Sequence, residues 1–195
     1  MLKRVFCIAL WIFTIGFIAS CAKQAPHYNS IDITGANYSS NAKIMDHDGK
    51  TRMLSDFQGK YLILFFGFTK CPAVCPTTLA KLAEVKKKLG NDGSRVQVLL
   101  VTVDPERDTA EVMKNYVKTF DPTFIGLRGN DEQIRQIAKD FHIFYQKAPM
   151  ENGDYMMEHT AMTYILDPQN RVRLAASEQL TVDQIAEDIK TLMKQ

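Results

Sequence analysis

An α/β fold, one sheet with helices on its faces, is predicted by three features of the chain. Two runs rich in β-branched and aromatic residues, Tyr61 to Phe66 and Arg95 to Val103, suit buried strands. Each leads into a stretch with helical spacing, Thr77 to Leu89 and Asp108 to about Phe120, completing a βαβ unit. The chain of 195 residues, 46% hydrophobic, then keeps alternating the two patterns without an internal repeat, as one domain with a substantial core.

The first segment differs from the rest. Lys3 and Arg4 precede fourteen apolar positions from Val5 to Ile18, short of the about twenty that span a membrane, and Ile18-Ala19-Ser20-Cys21 follows. This reads as an export signal over residues 1–20. The small residues before Cys21 resemble a lipobox, which implies cleavage there and lipid on its sulfur. An uncleaved signal anchor is the alternative, and either one tethers the chain outside the cytoplasmic membrane of a bacterium. Residues 21–41 are polar and read as a tether, leaving residues 42–195 as the folded domain.

Loss of Lys3 and Arg4 with the leader brings the 24 basic side chains level with the 22 acidic ones. No basic excess is left for nucleic acid.

Within the domain, Ala42 to Met45 and Arg52 to Leu54 flank a turn at Asp46-His47-Asp48-Gly49. Ser55 to Phe57 is a short turn before the first buried strand. The helix from Thr77 turns Leu79, Leu82, Val85 and Leu89 inward and stops at Gly90. Asp104-Pro105 breaks the second strand, and Asp108 with Glu111 looks like a capping box for the next helix. A strand at Thr123 to Leu127, a helix at Asp131 to Phe141 and a strand at Ile143 to Gln146 come next. Thr160 to Leu166 and Val172 to Ala175 form a hairpin turning at Asp167 to Asn170, and a helix from Thr181 to Met193 ends the chain.

Chemistry concentrates at Cys71-Pro72-Ala73-Val74-Cys75-Pro76, between the first buried strand and its helix. There, unpaired amides and the helix dipole stabilise thiolate. Residues four apart share a helix face, so the pair can close a disulfide or chelate one ion, and the spacing alone leaves both open. A purely structural bridge over so short a loop contributes only about 2 kcal/mol in the chain-entropy model. With Cys7 in the leader and Cys21 lipidated, these two are the remaining thiols. The element order, with both cysteines at that junction, is similar to a thioredoxin-like fold with an inserted hairpin and extra strands.

Gly59-Lys60-Tyr61, Phe65 to Thr69 with the cysteine segment, Val103 to Thr109, Gly126-Leu127 with Gly129, Asp154-Tyr155 and Glu158-His159-Thr160 resemble, in order, segments of the Sco/SenC family. The resemblance covers about residues 40 to 193. It implies a copper-binding, membrane-tethered factor that helps metallate the dinuclear copper (CuA) centre of cytochrome c oxidase. It also implies one copper per chain on Cys71, Cys75 and His159. That set makes chemical sense, because two thiolates suit Cu(I) and an added imidazole supports Cu(II). Asp104, beyond the second strand where ligands of open α/β sheets bind, would order a loop over the metal, or simply form an Asp-Pro turn.

The other ionisable and sulfur groups have simpler readings. His27 lies in the tether, His47 in a turn, and His142 between apolar neighbours. Met150, Met156, Met157 and Met162 bracket His159 as gap-fillers that could also offer thioether, and Lys86 to Lys88 form a solvated helix face. Two positions depart from the family's pattern: Ala73 stands where an acid is usual, which alters partner docking, and Glu158 replaces an aspartate.

Three functions compete. Copper delivery to the oxidase's copper-bearing subunit, or to another copper protein, uses all three residues. Thiol–disulfide exchange as a dedicated reductase needs only the cysteines, but the spacing is longer than C-x-x-C and no proline directly precedes Thr160. Peroxide reduction is suggested by Val74-Cys75-Pro76-Thr77, yet Pro72 stands where that chemistry needs threonine or serine. The expectation is a metallochaperone in preference to an enzyme, its thiols gated by redox state.

Overall fold

The computed structural model describes residues 26–151 and 153–195. The leader and Cys21 lie outside the described residues, and among those described no helix is long and apolar enough to cross a membrane. The architecture is the expected α/β, thioredoxin-like arrangement. Its main sheet contains β1 (Ile31–Asp32), β2 (Ile44–Asp46), β3 (Thr51–Arg52), β4 (Tyr61–Gly67), β5 (Val96–Thr102), β6 (Ile125–Arg128), β9 (Met162–Leu166) and β10 (Val172–Ser177), in the order β1-β10-β9-β4-β5-β6-β2-β3. β7 (Tyr145–Pro149) and β8 (Tyr155–His159) form a separate antiparallel pair.

β4 and β5 are buried at every position, which is why they read as continuous apolar runs. They pair in parallel from Tyr61↔Val96 to Gly67↔Thr102, so their carboxyl ends open at the same edge. β9 flanks β4 antiparallel, with Phe65↔Thr163 placing the start of β9 at that edge too. The helices α1 (Val74–Lys88), α2 (Ala110–Phe120), α3 (Asp131–Asp140) and α4 (Val182–Leu192) cover the sheet, α1 beside α4 and α2 beside β6. Capping boxes start α3 at Asn130 with Gln133 and α4 at Thr181 with Gln184. The β2–β3 turn is fixed by Asp46, whose carboxylate accepts from the amides of Asp48 and Lys50 at 2.9 Å and from Arg52 at 2.8 Å.

Four expectations change. Part of the segment read as tether joins the domain: Tyr28 and Ser30 are buried, Ile31–Asp32 extends the sheet beside β10, and Asp188 accepts from the amides of Asn29 (2.7 Å) and Ser30 (2.8 Å). The cap of α2 is Thr109, not Asp108, which is fully buried and bonded elsewhere. β8 is a strand the sequence reading did not contain. Lys86 is buried, its ammonium bonded to Thr123, 3.8 Å from Asp121 and 5.6 Å above the centre of the Phe124 ring, so only Lys87 and Lys88 form a solvated face.

Candidate metal centre

The loop from Phe68 to Ala73 carries Cys71 from the end of β4 to the start of α1. Ala73 supplies no side-chain cap; instead the Cys75 amide donates to Cys71 Sγ at 3.3 Å, so sulfur satisfies one of the orphan donors of the first turn. Both cysteines are free. Cys71 is half-buried at the rim, whereas Cys75 is fully buried on the inner face of α1. Burial pushes the Cys75 thiol far above its ordinary pKa, the Phe68 amide offsetting only part of the rise. The helix N-terminus therefore does not make both thiols acidic, as its position in sequence suggests. Gly67 is the reason the sulfur fits: a Cβ there would lie 2.9 Å from Cys75 Sγ.

His159 ends β8 and meets this sulfur from the opposite wall, its Nε2 3.9 Å from Cys75 Sγ. Its Nδ1 lies 3.1 Å from the Thr160 carbonyl, which can only accept. Nδ1 therefore carries the proton, and the Nε2 lone pair faces the thiol. Burial lowers the imidazole's pKa and favours this neutral form. Phe68 meets the ring edge-on, 5.9 Å between centroids at 86°.

An ion holding thiolate at about 2.3 Å and imidazole at about 2.0 Å, the lengths zinc sites show, sets sulfur and nitrogen about 3.5–3.8 Å apart. The observed 3.9 Å is near that span. Among the described residues, no three His, Cys, Asp or Glu side chains are already drawn together at ligand spacing. Cys71 would complete a triad by turning its sulfur away from the Cys75 amide. The donor set suits a soft or borderline ion, and the Phe68 amide, which bonds Cys75, suits the negative charge that a thiolate brings. A cleft of about 370 Å³, lined by Phe68, Cys71, Val74, Met156, Met157 and His159 among others, opens this site to solvent.

Asp104 does not touch the thiols or His159 directly. It is buried, donates its amide to Thr102 Oγ1 at 2.9 Å, and its carboxylate accepts from Arg107 Nε at 2.5 Å and Tyr155 at 2.8 Å. Asp108, unrecognised in sequence because its place suggested a helix cap, accepts from the hydroxyls of Thr69 and Thr102, both at 2.5 Å, and so holds the loop before Cys71. Burial raises its pKa. His47 accepts the Gly126 amide at Nδ1, 2.9 Å away, and is structural. His27 and His142 are exposed, His142 edge-on to Tyr38. Met156 and Met157 line the cleft, while Met150 is exposed and Met162 packs on the core.

A profile described as SCO1/SenC matches residues 32–194. The zebrafish (Danio rerio) mitochondrial SCO2 homolog is 40% identical over 154 residues, 77% of this chain but 55% of that protein, so the chain spans just over half of that relative's length. Among solved structures, Arabidopsis thaliana ScoI with copper bound superposes with a TM-score of 0.77 at 33% identity, covering 81% of this chain and 99% of that one. Bradyrhizobium japonicum ScoI with copper bound gives 0.72 at 36%, covering 78% and 97%. With most of its length matched by the profile and its fold shared with both ScoI structures, this chain belongs to the SCO1/SenC family.

Proposed function

We propose that the protein is a membrane-tethered copper chaperone that delivers copper to the CuA centre of cytochrome c oxidase, holding one ion on Cys71, Cys75 and His159. The observation that carries this reading is the approach of His159 Nε2, lone pair inward, to Cys75 Sγ at 3.9 Å, in a cleft whose rim is Cys71. The two ScoI proteins it resembles are described as copper-bound, which agrees with that donor set. Copper is the cargo. Its binding displaces the two thiol protons, and ligand exchange with thiolates of an oxidase subunit would release it. Lipid on Cys21 holds the domain at the outer face of the cytoplasmic membrane.

Oxidation of Cys71 and Cys75 to a disulfide removes both sulfur ligands, so redox state gates loading. The same pair supports a second reading, a dedicated reductase of the acceptor's copper site. The half-buried Cys71 would attack an acceptor disulfide, and the fully buried Cys75 would resolve the mixed disulfide, leaving two thiols on the acceptor.

Titration of the reduced chain with Cu(II) tests the proposal. One equivalent should produce a sulfur-to-copper charge-transfer band that is lost in a Cys71→Ser, Cys75→Ser double variant. Absence of the band in the wild type, or its survival in the double variant, sinks the assignment.

A further inference from the structure

The β7–β8 hairpin that carries His159 packs on the core through Met157, with Tyr145, Tyr155 and Met156 only partly buried against it. Of its strand residues only Met157 is buried, and among the described residues it shares no strand pairing with the main sheet. A two-stranded hairpin by itself is marginal in water. Beneath it, between β7 and the loop 103–109, lies a cleft of about 180 Å³. At the end near His159 the two arms are joined to each other, the Thr160 amide donating to the Phe144 carbonyl at 2.9 Å and the Phe144 amide to Thr160 Oγ1 at 3.1 Å. The other end is held by polar contacts from the loop 103–109.

Those contacts converge on Arg107. Its Nε donates to Asp104, while Nη1 donates to the Tyr155 carbonyl at 2.8 Å and to Asp154 at 3.1 Å. The guanidinium carbon lies 3.7 Å from the centre of the Tyr155 ring. The Tyr155 hydroxyl donates back to Asp104, and Lys147 of β7 reaches Glu106 at 2.6 Å. On its other side, the same loop grips the thiol segment through Asp108 and Thr69. Arg128 of β6 steadies it, donating to the carbonyls of Asp108 at 3.0 Å and Pro105 at 3.3 Å. One loop is thus bonded to both halves of the site.

We propose that Arg107 is a positioning residue, acting through Tyr155 to hold the β7–β8 hairpin so that His159 stays in reach of Cys75, and thereby supporting Cu(II) more than Cu(I). The inference rests on the copper reading above. Two thiolates suffice for Cu(I), so loosening the imidazole spares that state, whereas Cu(II) depends on the nitrogen. Lysine in place of Arg107 keeps the charge but loses the planar fork and the stacking, and phenylalanine in place of Tyr155 keeps the ring but loses the bond to Asp104.

The test uses the full chain with Arg107→Lys and, should that variant fold poorly, Tyr155→Phe. Cu(II) affinity should fall about tenfold or more, the range seen when groups that orient a ligand are lost, with weakened nitrogen hyperfine coupling in the electron paramagnetic resonance spectrum. Cu(I) affinity and the dithiol/disulfide potential should stay near wild type. In the metal-free protein, amide exchange across 145–159 should quicken while that of β4 and β5 does not change. Wild-type Cu(II) affinity with wild-type nitrogen coupling in Arg107→Lys, or in Tyr155→Phe where the lysine variant folds poorly, overturns the proposal. If the wild-type chain itself gives no thiolate band, the copper reading fails instead, and unchanged hairpin exchange in the variants then refutes the clamp.

Discussion

Gly67→Ala is the smallest change that tests how the site is built. Gly67 ends β4 behind Cys75, and a Cβ there would meet Cys75 Sγ at 2.9 Å, Phe65 Cε1 at 3.0 Å and Leu100 Cδ1 at 3.4 Å. Ordinary non-bonded contacts begin at about 3.5 Å, so the sulfur must retreat by roughly 0.6 Å into a region that is already packed. Overpacking of this kind costs about 1–3 kcal/mol, and the entropy removed from the unfolded chain by replacing glycine returns about 0.4–1 kcal/mol. A net loss of about 1–2 kcal/mol is expected, and each kcal/mol lowers the melting temperature of a domain this size by about 2–4 °C. The retreating sulfur also changes its distance to His159 Nε2. Cu(II) affinity should therefore fall in the variant even below its melting temperature. Thermal melts of the metal-free protein and Cu(II) titration at 20 °C read the two effects separately. An unchanged melting temperature together with an unchanged charge-transfer spectrum would refute the argument that glycine at this position makes room for the thiol.

Three further outcomes are expected. His159→Ala should leave Cu(I) bound by two thiolates while weakening Cu(II) at least ten- to hundredfold, and disulfide exchange should survive; wild-type Cu(II) affinity in this variant would remove His159 from the site. Burial, reinforced by Lys118 and Lys114 and opposed by Asp48 and Asp46, depresses the pKa of His47. The unfolded chain then takes up the proton first, at about pH 6.5, so the contribution of His47 is complete above that pH and is lost as pH falls through the folded value. Melts from pH 7.5 to 5 should show this loss, and a His47→Asn variant whose melting temperature fell just as steeply would count against it. Cys21→Ser should abolish lipid attachment, read by mass spectrometry of the mature N-terminus, whereas an intact leader in the wild type would favour a signal anchor.

What could be read from sequence divides along physical lines. β4, β5 and the thiol loop were legible because buried parallel strands are uniformly apolar and a cysteine pair at a strand-to-helix junction stands out. His159 was legible only through its family resemblance, since nothing local shows that the chain brings it back to Cys75 across 84 positions. β8 escaped because Tyr155 to His159 mixes thioether, acid and imidazole with no clean alternation, and it buries only Met157. β1 escaped because two exposed edge residues carry almost no strand signal; it is held from outside by β10 and Asp188. Asp108 was misassigned for a different reason. A carboxylate just before a helix looks like a cap, and only the three-dimensional approach of Thr69 and Thr102 shows that it braces the thiol loop.

The two sulfurs are not equivalent, and their inequality gives the proposed delivery a direction. Cys71 stands at the rim of the cleft, in reach of an incoming thiolate, while Cys75 and His159 face each other deeper in. A partner thiolate would therefore displace Cys71 first, since it is the sulfur a partner can reach without opening the fold. Cys75 would be the last protein sulfur to let go, and its burial disfavours a bare thiolate there, so recovery of its proton would accompany release. The cleft wall that such a partner meets is mainly apolar: Val74 is 37% exposed, and Ala73 places no charge between the cysteines. Docking at this face would then depend on apolar contact more than on steering by charge at the loop itself, and should respond weakly to ionic strength. A strong salt dependence of transfer would instead place the partner's main contacts on charged surface beyond the rim.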